Sequence, residues 1–155
     1  MRFLLFVVAV VSCSLGTSQA SSACSCFEIL SPLAAMAQAD VVFTGTVIEI
    51  DEQPSISIVK FKVDRAWKGV DGDEATIVTS FSGATCGYLF ALDEAYLVYG
   101  RFGAYIVPAG EFPDTGLCDP NKLLSEATED IETLGEPSLT LVKPTFWGQI
   151  KALFY

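Results

Sequence analysis

Cysteines dominate the chemistry available to this 155-residue chain, because it contains five cysteines and no histidine. The lack of histidine excludes Ser-His-Asp and Cys-His nucleophilic catalysis, as well as zinc bound by histidine. Asp93 and Glu94 are adjacent, so in a strand their carboxylates face opposite sides and cannot act as an acid–base pair. No glycine-rich phosphate loop separates a strand pattern from a helix pattern. The sequence therefore predicts that this protein is not an enzyme.

The first 23 residues have the pattern of a secretory signal peptide. Arg2 precedes an apolar run over 3–11, and small residues allow cleavage after Ala23 or, alternatively, after Ala20. The run is too short for a membrane span. Cys13 could end a bacterial lipobox, but the leucine usual in that motif is missing. We expect a secreted, extracellular protein, or a periplasmic or cell-surface one if the source is bacterial.

Cleavage after Ala23 leaves four cysteines, Cys24, Cys26, Cys86 and Cys118. An even number in a secreted chain predicts two disulfides, for which three pairings are possible. A bond between Cys24 and Cys26 would close a small strained ring, so each should find a distant partner. A four-cysteine zinc site is the alternative, although no Cys-x-x-Cys pair occurs and the compartment is oxidising.

The remaining chain is strongly acidic, with eight basic and 19 acidic residues and a net charge of −11. This charge repels nucleic acid and anionic membrane surfaces. We therefore expect no nucleic-acid partner. We also expect no membrane span, because the apolar run is short, and a monomeric protein.

Short strand patterns separated by turn residues predict a mainly β fold. Strands are expected over 41–50, 57–66, 75–81, 95–100 and 104–107, with a bulge or bend at Gly45. Helices are expected over 32–38, where Pro32 follows Ser31, and over 120–134, which Gly135 ends. We predict a small closed five-stranded β-barrel of OB type with two flanking helices and two disulfides; an open β-sandwich is the alternative. The domain spans 24–135, and no role is predicted for the C-terminal tail 136–155.

Several short motifs in a fixed order are the most informative feature of the sequence. Ala-Cys-Ser-Cys over 23–26 is followed by Phe-Thr-Gly-Thr-Val over 43–47, Trp-Lys-Gly over 67–69, Cys-Gly-Tyr over 86–88, Tyr-Leu-Val-Tyr-Gly over 96–100 and then Cys118. Over 24–135 this order resembles the tissue inhibitors of metalloproteinases and, more broadly, the netrin-like domain. The family's third disulfide in this domain and its cysteine-rich C-terminal domain have no counterpart here.

The resemblance implies Cys24–Cys86 and Cys26–Cys118 disulfides and a secreted inhibitor of zinc metalloendopeptidases. In such an inhibitor the main-chain amine and carbonyl oxygen of Cys24 chelate the protease's zinc, and Ser25 points into the specificity pocket. The protein would need no cofactor of its own. The other residues expected at the protease contact are Cys26, Cys86, Gly87 and Tyr88.

Each of these residues also has a structural interpretation. The cysteines would form structural disulfides in any secreted protein. Gly87 would serve backbone geometry, and Tyr88 would pack in the core. The alternative function is a netrin-like interaction or adhesion module that inhibits no protease, because a fold does not fix a function.

Overall fold

The computed structural model describes residues 24–105 and 111–140, and the fold is mainly β. The predicted signal peptide and the tail beyond Thr140 lie outside the described residues. The regular elements are α1 (Pro32–Gln38), β1 (Val41–Glu52), β2 (Ile56–Lys68), β3 (Glu74–Ser80), β4 (Ala95–Gly100), β5 (Asp114–Thr115), β6 (Lys122–Leu123), α2 (Thr128–Leu134) and β7 (Leu139–Thr140). Short 3-10 turns cover Gly83–Thr85 and Leu124–Glu126.

All seven strands belong to one curled sheet. Six strands follow the order β5-β3-β2-β1-β4-β6, and β7 pairs with β2. The β1–β2, β2–β3 and β1–β4 pairs are antiparallel, whereas β3 and β5 run parallel. A single antiparallel bridge between Arg101 and Asp114 also joins the end of β4 to β5. The sheet is therefore curled into a half-barrel. The bridge is the contact that joins β4 to β5, the strand at the opposite edge of the sheet.

Irregularities in β1 allow the sheet to curl. Its register against β2 shifts three times, once between Thr44 and Gly45. A Cβ added to Gly45 would lie 2.7 Å from the carbonyl oxygen of Lys62, so only glycine permits this close approach. Bulges of this kind bend a strand and increase its twist. This register shift confirms the irregularity predicted at Gly45 as a bulge or bend.

The hydrophobic residues form one cluster on each face of the sheet. Strand β4 shows the alternation, since Tyr96 and Val98 belong to one cluster and Leu97 and Tyr99 to the other. The first cluster fills the concave side with Phe43, Phe61 and Ile77, all fully buried. In the second, residues of α1 and α2 pack against the sheet.

The second helix is shorter than the sequence predicts. Residues 120–127 are not α-helical, because Lys122 and Leu123 pair with Leu97 and Tyr96 of β4. Next to them, the buried side chain of Asn121 accepts a hydrogen bond from the Tyr99 N–H at 2.8 Å. This pairing with a distant strand holds Lys122 and Leu123 extended, and a 3-10 turn over Leu124–Glu126 follows before α2 begins at Thr128.

The strand count also differs from the five predicted. The additional strands β5, β6 and β7 contain two residues each. The strand expected over 104–107 is not formed at Ala104 and Tyr105, whose N–H groups instead point at the Asp114 carboxylate; residues 106 and 107 lie outside the described residues. In the described part of the chain, no helix is long and apolar enough to cross a membrane.

Candidate functional site

Two disulfides attach the start of the described chain to the sheet. Cys24 bonds to Cys86 and Cys26 bonds to Cys118, with Cα–Cα distances of 5.6 and 5.4 Å. These are the pairs that the family resemblance implies. Because all four sulfurs are bonded, the alternative of a four-cysteine zinc site is wrong. On the chain-entropy model, each loop of this length stabilises the fold by roughly 4–5 kcal/mol.

Ser25 lies between the two anchored cysteines and is exposed, whereas Cys24 and Cys26 are half-buried. The Ser25 side chain therefore faces solvent between two residues that are each held by a disulfide. The segment 24–26 thus presents one small polar side chain on a covalently fixed base.

The partner of Cys24 sits in a tight turn. Cys86 follows the 3-10 turn Gly83–Thr85 and has a left-handed backbone, with φ of 64°. The Gly87 N–H donates a hydrogen bond to the carbonyl oxygen of Ser82 at 3.0 Å. The Cys24 sulfur lies 3.5 Å from the carbonyl oxygen of Gly83, so the N-terminal segment rests on this turn.

Gly87 is buried and has no room for a side chain. An added Cβ would lie 1.9 Å from the carbonyl oxygen of Ser80, far inside any real contact distance. Glycine is therefore required for the chain to pass from β3 to Cys86. This agrees with a role for Gly87 in backbone geometry. Because Gly87 is buried, it lies below the surface that carries Ser25.

Tyr88 connects the turn to the concave core. Its N–H donates to the hydroxyl of the buried Thr79 at 2.9 Å, and its ring lies 4.8 Å from Phe90 and 6.1 Å from Tyr96 between centroids. Burial raises the pKa of the Tyr88 hydroxyl to about 12, and the neighbouring Tyr96 adds to the increase. Tyr88 is thus neutral at physiological pH and packs in an aromatic cluster.

The loop that carries Cys118 is joined to the same turn. The Leu117 N–H donates to the carbonyl oxygen of Cys86 at 2.8 Å. The Asp119 carboxylate accepts hydrogen bonds from the Gly116 N–H at 3.0 Å and the Thr115 hydroxyl at 3.1 Å, and it forms an ion pair with Arg101 at 3.0 Å. These contacts hold both disulfides in one rigid unit.

The supporting residues Arg101, Leu117 and Asp119 were not expected from the sequence. Asp119 precedes Pro120, and such a pair is typical of a helix start. Its actual partners are the Arg101 side chain and the loop before Cys118. No local sequence pattern signals those contacts.

Exposed apolar side chains lie close in sequence to the disulfide cysteines. Phe27 follows Cys26 and is fully exposed, while Leu89 and Leu117 are 64% and 42% exposed. Each lies within three residues of a disulfide cysteine. Grouped exposed hydrophobic residues are typical of a surface that binds another protein.

Within residues 24–105 and 111–140, no three His, Cys, Asp or Glu residues are placed to hold a metal ion. No protein-family model matches the chain, and no curated protein has significant sequence similarity to it.

Proposed function

We propose that the chain beginning at Cys24 is a secreted inhibitor of zinc metalloendopeptidases, as its resemblance to the tissue inhibitors of metalloproteinases implies. The observation that carries this proposal is the Cys24-Ser25-Cys26 segment, anchored by a disulfide on each side of an exposed serine. Disulfides are typical of oxidising compartments, which supports secretion.

The chemistry of the proposed contact needs only the main chain of Cys24. A free α-amine and the carbonyl oxygen of the same residue form a five-membered chelate around a metal ion. The catalytic zinc of a protease keeps one coordination position open for water, and the chelate would occupy it. The amine has an ordinary pKa of about 8 and must bind deprotonated, so the zinc would assist loss of its proton.

Rigidity supports tight binding, since ordering a flexible segment costs free energy on association. Here the Cys24–Cys86 bond and the Leu117–Cys86 hydrogen bond hold the segment before any partner arrives. Ser25 would enter the pocket beside the metal, and Phe27, Leu89 and Leu117 would add apolar contact around it. Gly87 and Tyr88 would act by positioning Cys86.

The strand connections support a barrel of OB type as the frame for this site. β1 pairs with β2, β2 with β3, β3 with β5 in parallel, and β4 with β1. The bridge from Arg101 to Asp114 links β4 back to β5 and completes the circuit 1-2-3-5-4-1. In a five-stranded OB barrel the strands follow such a closed Greek-key path.

Two forms of the protein that differ only at the N-terminus provide the test. One begins at Cys24, and the other begins at Ser21 and keeps Ser21-Ser22-Ala23. The extension converts the Cys24 amine into an amide, a very poor zinc ligand, and places extra residues in the cleft. We expect at least about a hundredfold weaker inhibition, equivalent to roughly 2.8 kcal/mol. The measurement is the inhibition constant against a panel of zinc endopeptidases.

Ser25→Gly in the form beginning at Cys24 is the matched control. This change leaves the chelate intact and alters only the filling of the pocket, so it should shift preference among proteases. Equal inhibition by the two N-terminal forms would exclude the chelate. Inhibition by neither would favour a netrin-like interaction module, whose apolar surface around the disulfides needs no free amine.

A further inference from the structure

The end of β3 opposite Cys86 carries an open apolar groove of about 320 Å³. Its floor is formed by the buried Val41, Phe43 and Ile77. Its rim includes Phe102, which is 54% exposed, and Phe112, which is 37% exposed. The groove lies away from the disulfides, so the proposed inhibitory contact does not use it.

One wall of the groove is the turn between β2 and β3. Val70 belongs to this wall and packs against the concave core, while Asp71 and Glu74 on the same wall are exposed. The groove therefore combines an apolar floor with a negatively charged edge. A segment that suits it should be rich in aromatic or aliphatic residues and should carry positive charge.

The last described strand, β7, lies near this wall. In β7, Leu139 and Thr140 pair with Ala66 and Arg65, so the chain runs backward along β2. The next residues of β2 lead to Val63, whose N–H donates to the carbonyl oxygen of Asp73. Leu139 packs against the same core cluster as Val70. Thr140, the last described residue, therefore pairs with β2 two residues from Val63, which is bonded to the turn that forms the wall.

The tail has the required composition and length. Residues 137–155 contain Lys143 and Lys151 and no acidic residue, whereas residues 24–136 hold six basic and 19 acidic residues. Fifteen residues follow Thr140, and an extended chain covers about 3.3 Å per residue, so the tail reaches the groove easily. Its apolar side chains are Leu141, Val142, Phe146, Trp147, Ile150, Leu153 and Phe154.

We infer that the groove binds the chain's own C-terminal segment, with its apolar residues over Phe102 and Phe112 and its lysines beside Asp71 and Glu74. An anionic membrane is a less suitable partner, because the acidic domain would be drawn toward the surface with the tail and repelled by it. The inference goes beyond protease inhibition and is independent of it.

Trp147 reports the position of the tail in the chain from Cys24 to Tyr155. Its emission is obtained by subtracting the spectrum of Trp147→Phe, which retains Trp67. We expect blue-shifted emission and severalfold weaker acrylamide quenching than for a synthetic peptide of residues 141–155. Both should be independent of protein concentration and present without lipid.

Phe102→Glu should shift the Trp147 emission to that of the free peptide and restore its quenching. Leu92→Glu is the matched control, because Leu92 has the same 54% exposure but precedes β4 instead of following it. Circular dichroism establishes that each variant is folded. If Phe102→Glu does not fold, the Lys143→Glu, Lys151→Glu double variant tests the same docking from the tail and should also increase quenching.

Other occupants would give different results. A shift that appears only with phosphatidylcholine or phosphatidylserine vesicles would assign the tail to a membrane. A shift that grows with protein concentration would indicate a second copy of the chain. Either result, or emission equal to that of the free peptide, would overturn the inference. No protease enters this assay, so its failure is separate from failure of the proposed inhibitory function.

Discussion

The two ends of β3 are built differently. At its C-terminal end the chain passes from Ser80 to Cys86, where one disulfide holds the N-terminal segment. The parallel pairing of Thr79 with Thr115 brings the Cys118 loop to the same end, with the second disulfide. At its N-terminal end, an exposed ion pair between Lys62 and Asp73 and a backbone hydrogen bond secure the turn from β2.

This difference matches what each end presents. The first end carries the segment 24–26, in which Ser25 is exposed, and a disulfide at Cys24 and another at Cys26 fix its position. The second end exposes apolar side chains, which need only a surface of suitable shape and tolerate small movements. The comparison predicts that changes at the disulfide end will be costly and that changes at the turn will be mild.

Removing the Cys26–Cys118 bond should have the largest effect on stability. Cys26→Ala combined with Cys118→Ala opens a loop with a sequence separation of 92. Loss of a native disulfide from a small secreted domain costs about 2–5 kcal/mol, and a loop of this length belongs near the upper limit. Guanidinium unfolding of the parent and the double variant, with Cys24–Cys86 intact, measures the difference. A loss below about 1 kcal/mol would mean that Asp119 and Arg101 hold this end without the bond.

A pair of glycines in the same turn gives the next largest effect. Gly87→Ala forces a methyl group against the Ser80 carbonyl, so we expect about 3 kcal/mol of destabilisation. Gly83→Ala is the control, because an added Cβ at Gly83 meets nothing within 4 Å. Its effect should stay within about 0.5 kcal/mol. Equal urea midpoints for the two variants would contradict the crowded geometry at Gly87.

Local signals in the sequence predict the regular elements well. Pro32 after Ser31 marks the start of α1, and the helix has the predicted bounds. β4 also has its predicted bounds, and Gly135, with φ of 73°, ends α2 as expected. These features depend on residues adjacent in the chain, so neighbouring residue types are enough to indicate them.

Features that depend on distant partners are less predictable. The apolar spacing over 123–134 suits a helix, yet the edge of β4 pairs with Lys122 and Leu123 and holds them extended. Cysteine spacing alone leaves three disulfide pairings open. Family resemblance supplied the pairing found in the structure. The link from Leu117 to Cys86 joins residues far apart in sequence, so no short motif indicates it.

The smallest expected effect is at the other end of β3, where Asp73→Asn removes the ion pair with Lys62. The hydrogen bond and charge of Lys62 lower the pKa of the Asp73 carboxyl below its ordinary value of 3.8. A carboxyl whose pKa is lower in the folded protein stabilises the fold above its unfolded pKa, and this contribution is lost as pH falls through the folded pKa. Both side chains are exposed, so water and salt screen the pair.

We therefore expect the parent to have a slightly higher Tm than Asp73→Asn at pH 7 in low salt. The difference in Tm between the parent and Asp73→Asn should disappear near pH 2 or in 1 M salt. A loss at pH 7 as large as that of Gly87→Ala would show that this ion pair holds the turn, and the contrast between the two ends would fail.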